Sequence, residues 1–222
     1  MLIALKENIR ARPNQTGERA ICPICQGEVI SKCGEINVWH WAHRAALGCD
    51  SWMENESEWH TEWKALVPED WIEIVIEKDG RRRLADIRLP NGRIVKLQHG
   101  PLSPEQIREY EQFFGNMVWI FDVRETTETS DSFDAPRLDF RKKEMSAFAK
   151  ARAGVKETPV NYRTFRWKHP RKHIGFAKKL RLLDIGNERV FKLEKLYSDP
   201  PAGGFGFMFR IENIIAWFHK QI

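Results

Sequence analysis

The stretch CPICQGEVISKCGEINVWHWAH, residues 22 to 43, sets Cys22 and Cys25 apart by two residues, does the same for His40 and His43, and is followed by Cys49. Two thiolates at this spacing can meet one tetrahedral ion from a tight turn, which Pro23 and Gly27 favour, so a second pair of ligands must come from downstream. Cys22, Cys25, His43 and Cys49 are the preferred set, with His40 competing for the third or fourth place. Cys33 lies inside the hairpin expected between the two pairs and reads as a small core residue. All 4 cysteines fall in the first 50 residues, and in a reducing compartment such a cluster serves metal binding rather than disulfides. The alternative is a group of buried thiols without an ion. Four protein ligands leave no position for water, so the expected zinc ion would fold a small module and do no chemistry itself.

Around this clip, EVISKC and GEINVW read as two strands joined by a turn at Gly34. In ENESEWHTEWKALVPEDW, Trp59, Trp63, Leu66 and Val67 recur at helical spacing, predicting an amphipathic helix that ends near Pro68. WIEIVIE, RRRLADIRL and GRIVKLQHG are β-rich segments separated by turn signals at Asp79-Gly80 and Pro90-Asn91-Gly92, which predicts a three-stranded meander. SPEQIREYEQFFGN opens with a serine cap and Pro104 and stops at Gly115, a second helix. MVWIFDV is almost wholly apolar, as a buried strand is. The predicted order is helix, three strands, helix, strand.

These motifs, CPIC…HWAH…C, ESEWHTEWK, LADIRLPNGRIVKLQHGPLSPEQI and MVWIFDV, resemble the CoiA-like competence-protein family. That family joins a zinc-binding N-terminal module to a nuclease domain of the PD-(D/E)XK superfamily, and the resemblance runs from about Cys22 to Val123. It implies an α+β fold with a restriction-endonuclease-like α-β-β-β-α-β core. The implied division is a zinc module at 1–53 and the core at 54–123; beyond Val123 the resemblance fades, and composition makes 124–136 a polar, acidic linker and 137–222 a basic α/β region that extends the nuclease sheet. The resemblance also implies a Mg²⁺ or Mn²⁺ site, because hard oxygen ligands suit these ions, which neutralise a scissile phosphate and activate water. By motif position Glu58 matches the helix carboxylate, Asp86 the strand carboxylate and Gln98 the polar residue of the third strand. His60 and Lys64 occupy helix positions where the family commonly has His and Lys.

One residue departs from the family pattern with chemical consequence. Where Glu-x-Gln is expected, the chain reads Lys96-Leu97-Gln98. An ammonium beside Asp86 would satisfy its charge and repel a dication, at a cost on the order of several kcal/mol of site affinity. Three readings follow: an inactivated nuclease, a DNA-binding relative that does not cut, or a catalytic lysine shifted by two positions on one strand face. For Glu58 and Asp86 the plain alternative is ion pairing with Arg81, Arg82 and Arg83.

The charge distribution adds a partner class. From Ala135 to Ile222, Lys and Arg outnumber Asp and Glu by 20 to 8, whereas the preceding 134 residues hold 16 against 23. A basic half suits DNA, because neutralised phosphates release counterions. Arg83, Lys168, Arg171 and Lys172, with His60 and Lys64, are the candidate DNA contacts. Tyr162, Phe165, Trp167 and Phe176, interleaved with cations, could stack on bases or could equally face a core. RLDFRKKEMSAFAKARAG reads as one basic helix ended by Gly154, RVFKLEKLY as a strand, PPAGGFG as a turn and FMFRIENIIAWFHKQI as a helix or strand-helix. No apolar run approaches a membrane span and the N-terminus lacks the apolar core of a signal peptide, so a cytoplasmic location is expected, with DNA-uptake or recombination proteins as partners.

Overall fold

The computed structural model describes all residues except 36–37, 44–48, 50–55, 125–137, 168–169, 198–202, 221 and 222. The fold is α+β, and the chain divides into two compact units, Met1–Lys96 and Leu97–Ile222. The expected linker at 124–136 lies outside the described residues, apart from Arg124.

The first unit opens with five short strands, β1 (Ala4–Lys6), β2 (Ile9–Ala11), β3 (Arg19–Ile21), β4 (Glu28–Lys32) and β5 (His40–His43), in the order β2-β1-β3-β4-β5. Glu7 and Asn8 both take positive φ between β1 and β2, the backbone a two-residue hairpin needs to match strand twist. The second strand of the expected hairpin is displaced. It begins at His40, pairing with Lys32, and the HWAH motif itself forms β5. Both histidines therefore sit on rigid sheet. Ala4, Ala20, Cys22, Ile24, Val29 and Trp41 form a core against which Val75 and Leu84 pack.

Helix α1 (Glu58–Ala65) begins where Ser57 accepts the His60 N–H and the His60 ring accepts the Ser57 N–H, a reciprocal cap. Trp59 and Trp63 are buried, as their spacing predicts, but Leu66 lies past the last turn and is 40% exposed. The meander is present as β6 (Ile72–Lys78), β7 (Arg81–Arg88) and β8 (Ile94–Gln98), antiparallel, with positive φ at Asp79 and Gly80 in the first turn. The boundary between the units falls within β8, after Lys96.

In the second unit, α2 (Pro104–Phe114) is capped by Ser103 and Gln106 and stops at Gly115 with positive φ. Strand β9 (Met117–Asp122) is buried throughout. It is followed by β10 (Leu138–Arg141), α3 (Ala147–Ala153), β11 (Tyr162–Trp167), β12 (Leu180–Asp184), β13 (Arg189–Leu196), β14 (Gly203–Arg210) and α4 (Ile211–His219). The strands lie in the order β10-β11-β14-β13-β12-β9, with β9 and β12 parallel and the other neighbours antiparallel. The helix, three-strand, helix, strand order is thus present from Glu58 to Asp122.

Two expectations fail here. The segment read as one basic helix begins instead as β10, whose Leu138 and Phe140 pair with Trp167 and Phe165, and only Ala147–Ala153 is helical. The glycines read as a turn lie in β14. A Cβ on Gly203, Gly204 or Gly206 would collide with the carbonyl oxygens of Phe165, Lys195 and Lys192, so these residues permit close strand packing rather than reversal. Tyr162, Phe165 and Trp167 are buried in β11 while Phe176 is 44% exposed. The first three rings pack the core and are not stacking platforms.

Candidate functional site

Two clusters of chemically competent side chains occur in the first unit. In the first, one ligand atom from each of Cys22, Cys25, His43 and Cys49 lies within 4.8 Å of every other. The Cys22 and Cys49 Sγ atoms are 3.7 Å apart, and Cys25 Sγ is 3.3 Å from His43 Nε2. Zinc–sulfur bonds of about 2.3 Å in a tetrahedron set sulfurs roughly 3.8 Å apart, so this group can hold a metal such as zinc. The knuckle is preformed: the Ile24 and Gly27 N–H groups each reach a cysteine sulfur at 3.4 Å, Cys22 in the first case and Cys25 in the second. At Cys25 burial raises the thiol pKa, but the Gly27 amide and the Cys49 and Cys22 sulfurs outweigh it and the net shift is downward. Burial, with the N-terminal ammonium, lowers that of His43, favouring the neutral imidazole that binds metal.

His40 stands on the same strand, outside the group, with its Nδ1 2.7 Å from the Val38 carbonyl oxygen. Cys33 is also outside it, its backbone tied to Thr16.

The second cluster is built by α1 and the meander. Asp86 on β7 and Lys96 on β8 form an ion pair of 2.8 Å, with side chains only 12% and 5% exposed. In the last turn of α1, Lys64 donates to Glu56 at 2.6 Å and to Glu73 at 2.7 Å. Glu73 is fully buried and also accepts the Leu2 and Ile3 N–H groups at 2.8 Å. Burial alone would raise the Glu73 and Asp86 carboxyls. Lys64 reverses this for Glu73, and Lys96, then Lys64 and His60, reverse it for Asp86, so both are held below the usual carboxylate range. Lys64 is raised: burial disfavours its charge, but Glu73, Glu56 and Asp86 more than compensate.

Asp86, Lys96, His60 and Lys64 share the buried cluster, where Asp86 pairs with Lys96. Glu58, in the first turn of α1, is exposed, and Arg83 is half-buried. Gln98 belongs to the second unit, is 1% exposed and donates to the Gly100 carbonyl. In that unit Arg171 donates to the Asp122 and His99 carbonyls at 2.7 and 3.3 Å, and Lys172 is exposed. Lys168 lies outside the described residues.

Sequence reasoning missed Glu56 and Glu73, the inward-facing acids, and the contact of His99 Nδ1 with Asp122 at 2.9 Å. In IEIVIEK, Glu73 reads as the outward residue between Ile72 and Ile74. Its positive φ of 49° breaks that alternation and turns it inward.

The donor sets differ in what they admit. Three soft sulfurs and an imidazole at tetrahedral spacing fit zinc. At the carboxylates a hard ion such as Mg²⁺ or Mn²⁺ would have to compete with the Lys96 ammonium, which donates to Asp86 Oδ2 at 2.8 Å. Among the described residues no helix is long and apolar enough to cross a membrane.

The first sheet and its cysteine–histidine group thus define a small β module able to hold a metal ion. Residues 5–51 match the family model described as Competence protein CoiA, N-terminal domain, which supports the CoiA-like family resemblance. Searches of curated proteins and of solved structures gave no match.

Proposed function

We propose that this chain is a competence-related, nuclease-like DNA-processing factor that handles DNA in uptake, recombination or defence without metal-dependent cutting. The observation that carries this reading is the Lys96–Asp86 ion pair at 2.8 Å, which sits where the family pattern would hold a catalytic ion. The element order from Glu58 to Asp122 supports a restriction-endonuclease-like core, and the match over residues 5–51 supports the competence assignment. In this reading residues 1–53 form a zinc-stabilised module, 54–123 the core, 124–136 a linker and 137–222 a basic region that meets DNA in the cytoplasm. Zinc is structural.

The test is incubation with single- and double-stranded DNA plus Mg²⁺ or Mn²⁺. The chain as it stands binds DNA with steep salt dependence and leaves it intact, and Lys96→Glu gains metal-dependent cleavage. Cutting by the unaltered chain that is lost in Asp86→Asn would overturn the non-cutting reading. Absence of binding at low salt would overturn the DNA-handling one.

A further inference from the structure

We propose that the second unit carries a binding groove for single-stranded DNA, built where the end of β14 and α4 meet the start of β11 and β13. The inference rests on the reading that the chain handles DNA and names the site. The groove encloses about 770 Å³ and is lined by Arg163, Arg189, Arg210 and Lys220 together with Phe209 and Trp217, with no carboxylate among its lining residues.

Two of the cations are already engaged. Arg210 pairs with Glu188 at 3.0 Å and with Glu212 at 3.2 Å, and Arg163 donates to the Val160 and Tyr162 carbonyls at 2.7 Å. Arg189 and Lys220 are exposed, and among the described residues neither side chain forms an ion pair. Arg189 and Arg210 also stand directly opposite each other in the β13–β14 register. Adjacent strands thus each bring one guanidinium to the groove, and of these Arg189 is left for a phosphate.

The rings decide which polyanion. Phe209 and Trp217 are half-buried and line the same groove as the cations. Bases stack on aromatic rings while cations meet phosphates, and only unpaired bases can leave their own stack to reach a ring inside a groove. The occupant is therefore single-stranded DNA rather than duplex.

The test uses the full chain and a labelled oligo-dT, followed by fluorescence anisotropy at several salt concentrations. Arg189→Glu with Lys220→Glu lowers affinity at least tenfold and reduces the salt slope by about 1.4, two phosphate contacts on a single strand. Trp217→Leu lowers single-strand affinity by about tenfold and leaves duplex affinity unchanged. Thermal unfolding confirms that each variant is folded. Unchanged oligo-dT affinity in the folded charge variant, while the parent binds, would overturn the groove and leave the DNA-handling reading intact. Absence of oligo-dT and duplex binding by the parent would overturn both.

Discussion

The first unit holds two clusters rich in metal-ligand residue types, and they have opposite prospects. Around Cys22, Cys25, His43 and Cys49 the ligand atoms meet within 4.8 Å of one another, a spacing one tetrahedral ion can bridge. Around Asp86 and Glu73 the carboxylates meet two ammonium groups, Lys96 and Lys64, at 2.8 and 2.7 Å. Metal competence depends on whether a cluster's charge is already neutralised from within, as well as on ligand type. The first cluster can take a metal such as zinc; in the second, lysine ammonium groups already neutralise the carboxylates.

The widest separation between the clusters comes from removing metal. Chelation, or Cys25→Ser, releases one zinc per chain and melts the five-stranded sheet, because structural zinc supplies on the order of 10 kcal/mol of folding free energy in small metal-folded units. Cys33→Ser and His40→Ala keep the ion. Metal analysis and thermal unfolding with and without chelator check both statements.

A smaller effect is expected at the ammonium side. Lys64→Met leaves Glu56 and Glu73 without their shared cation, and stripping one partner from a buried pair costs about 3–5 kcal/mol, read by urea unfolding. Chelator has no additional effect on the carboxylate cluster in this variant. Such an effect would place a metal where the lysine was.

The smallest is a pH effect. Asp86 and Glu73 are held below the usual carboxylate range, so their pairing stabilises the fold above the unfolded values near pH 4 and is lost as pH falls through the lower folded ones. Asp86→Asn should therefore flatten the loss of stability below about pH 4 while leaving that above pH 5 nearly level. Urea midpoints across this range provide the check.

The contrast also explains what the sequence made legible. The zinc ligands lie within one short stretch and their spacing is a local property, so chain order alone brings them close. Asp86 and Lys96 were reachable through motif order, and their contact follows from adjacent strands of one meander. Glu73 was hidden, because strand alternation points it outward and only a positive φ reverses it. β14 was hidden as well, since its glycines signal a turn until the carbonyls they pack against are known. The lining of the basic groove comes from separate segments that converge only through strand order.

The central claim is that Lys96 has closed the carboxylate site to a hard dication, and Mn²⁺ titration followed by electron paramagnetic resonance of the free ion tests it directly. The zinc-loaded chain should take up no Mn²⁺ at submillimolar concentration, while Lys96→Glu should bind one ion and lose it again on addition of Asp86→Asn. Stoichiometric Mn²⁺ binding by the unaltered chain, abolished by Asp86→Asn alone, would contradict the account.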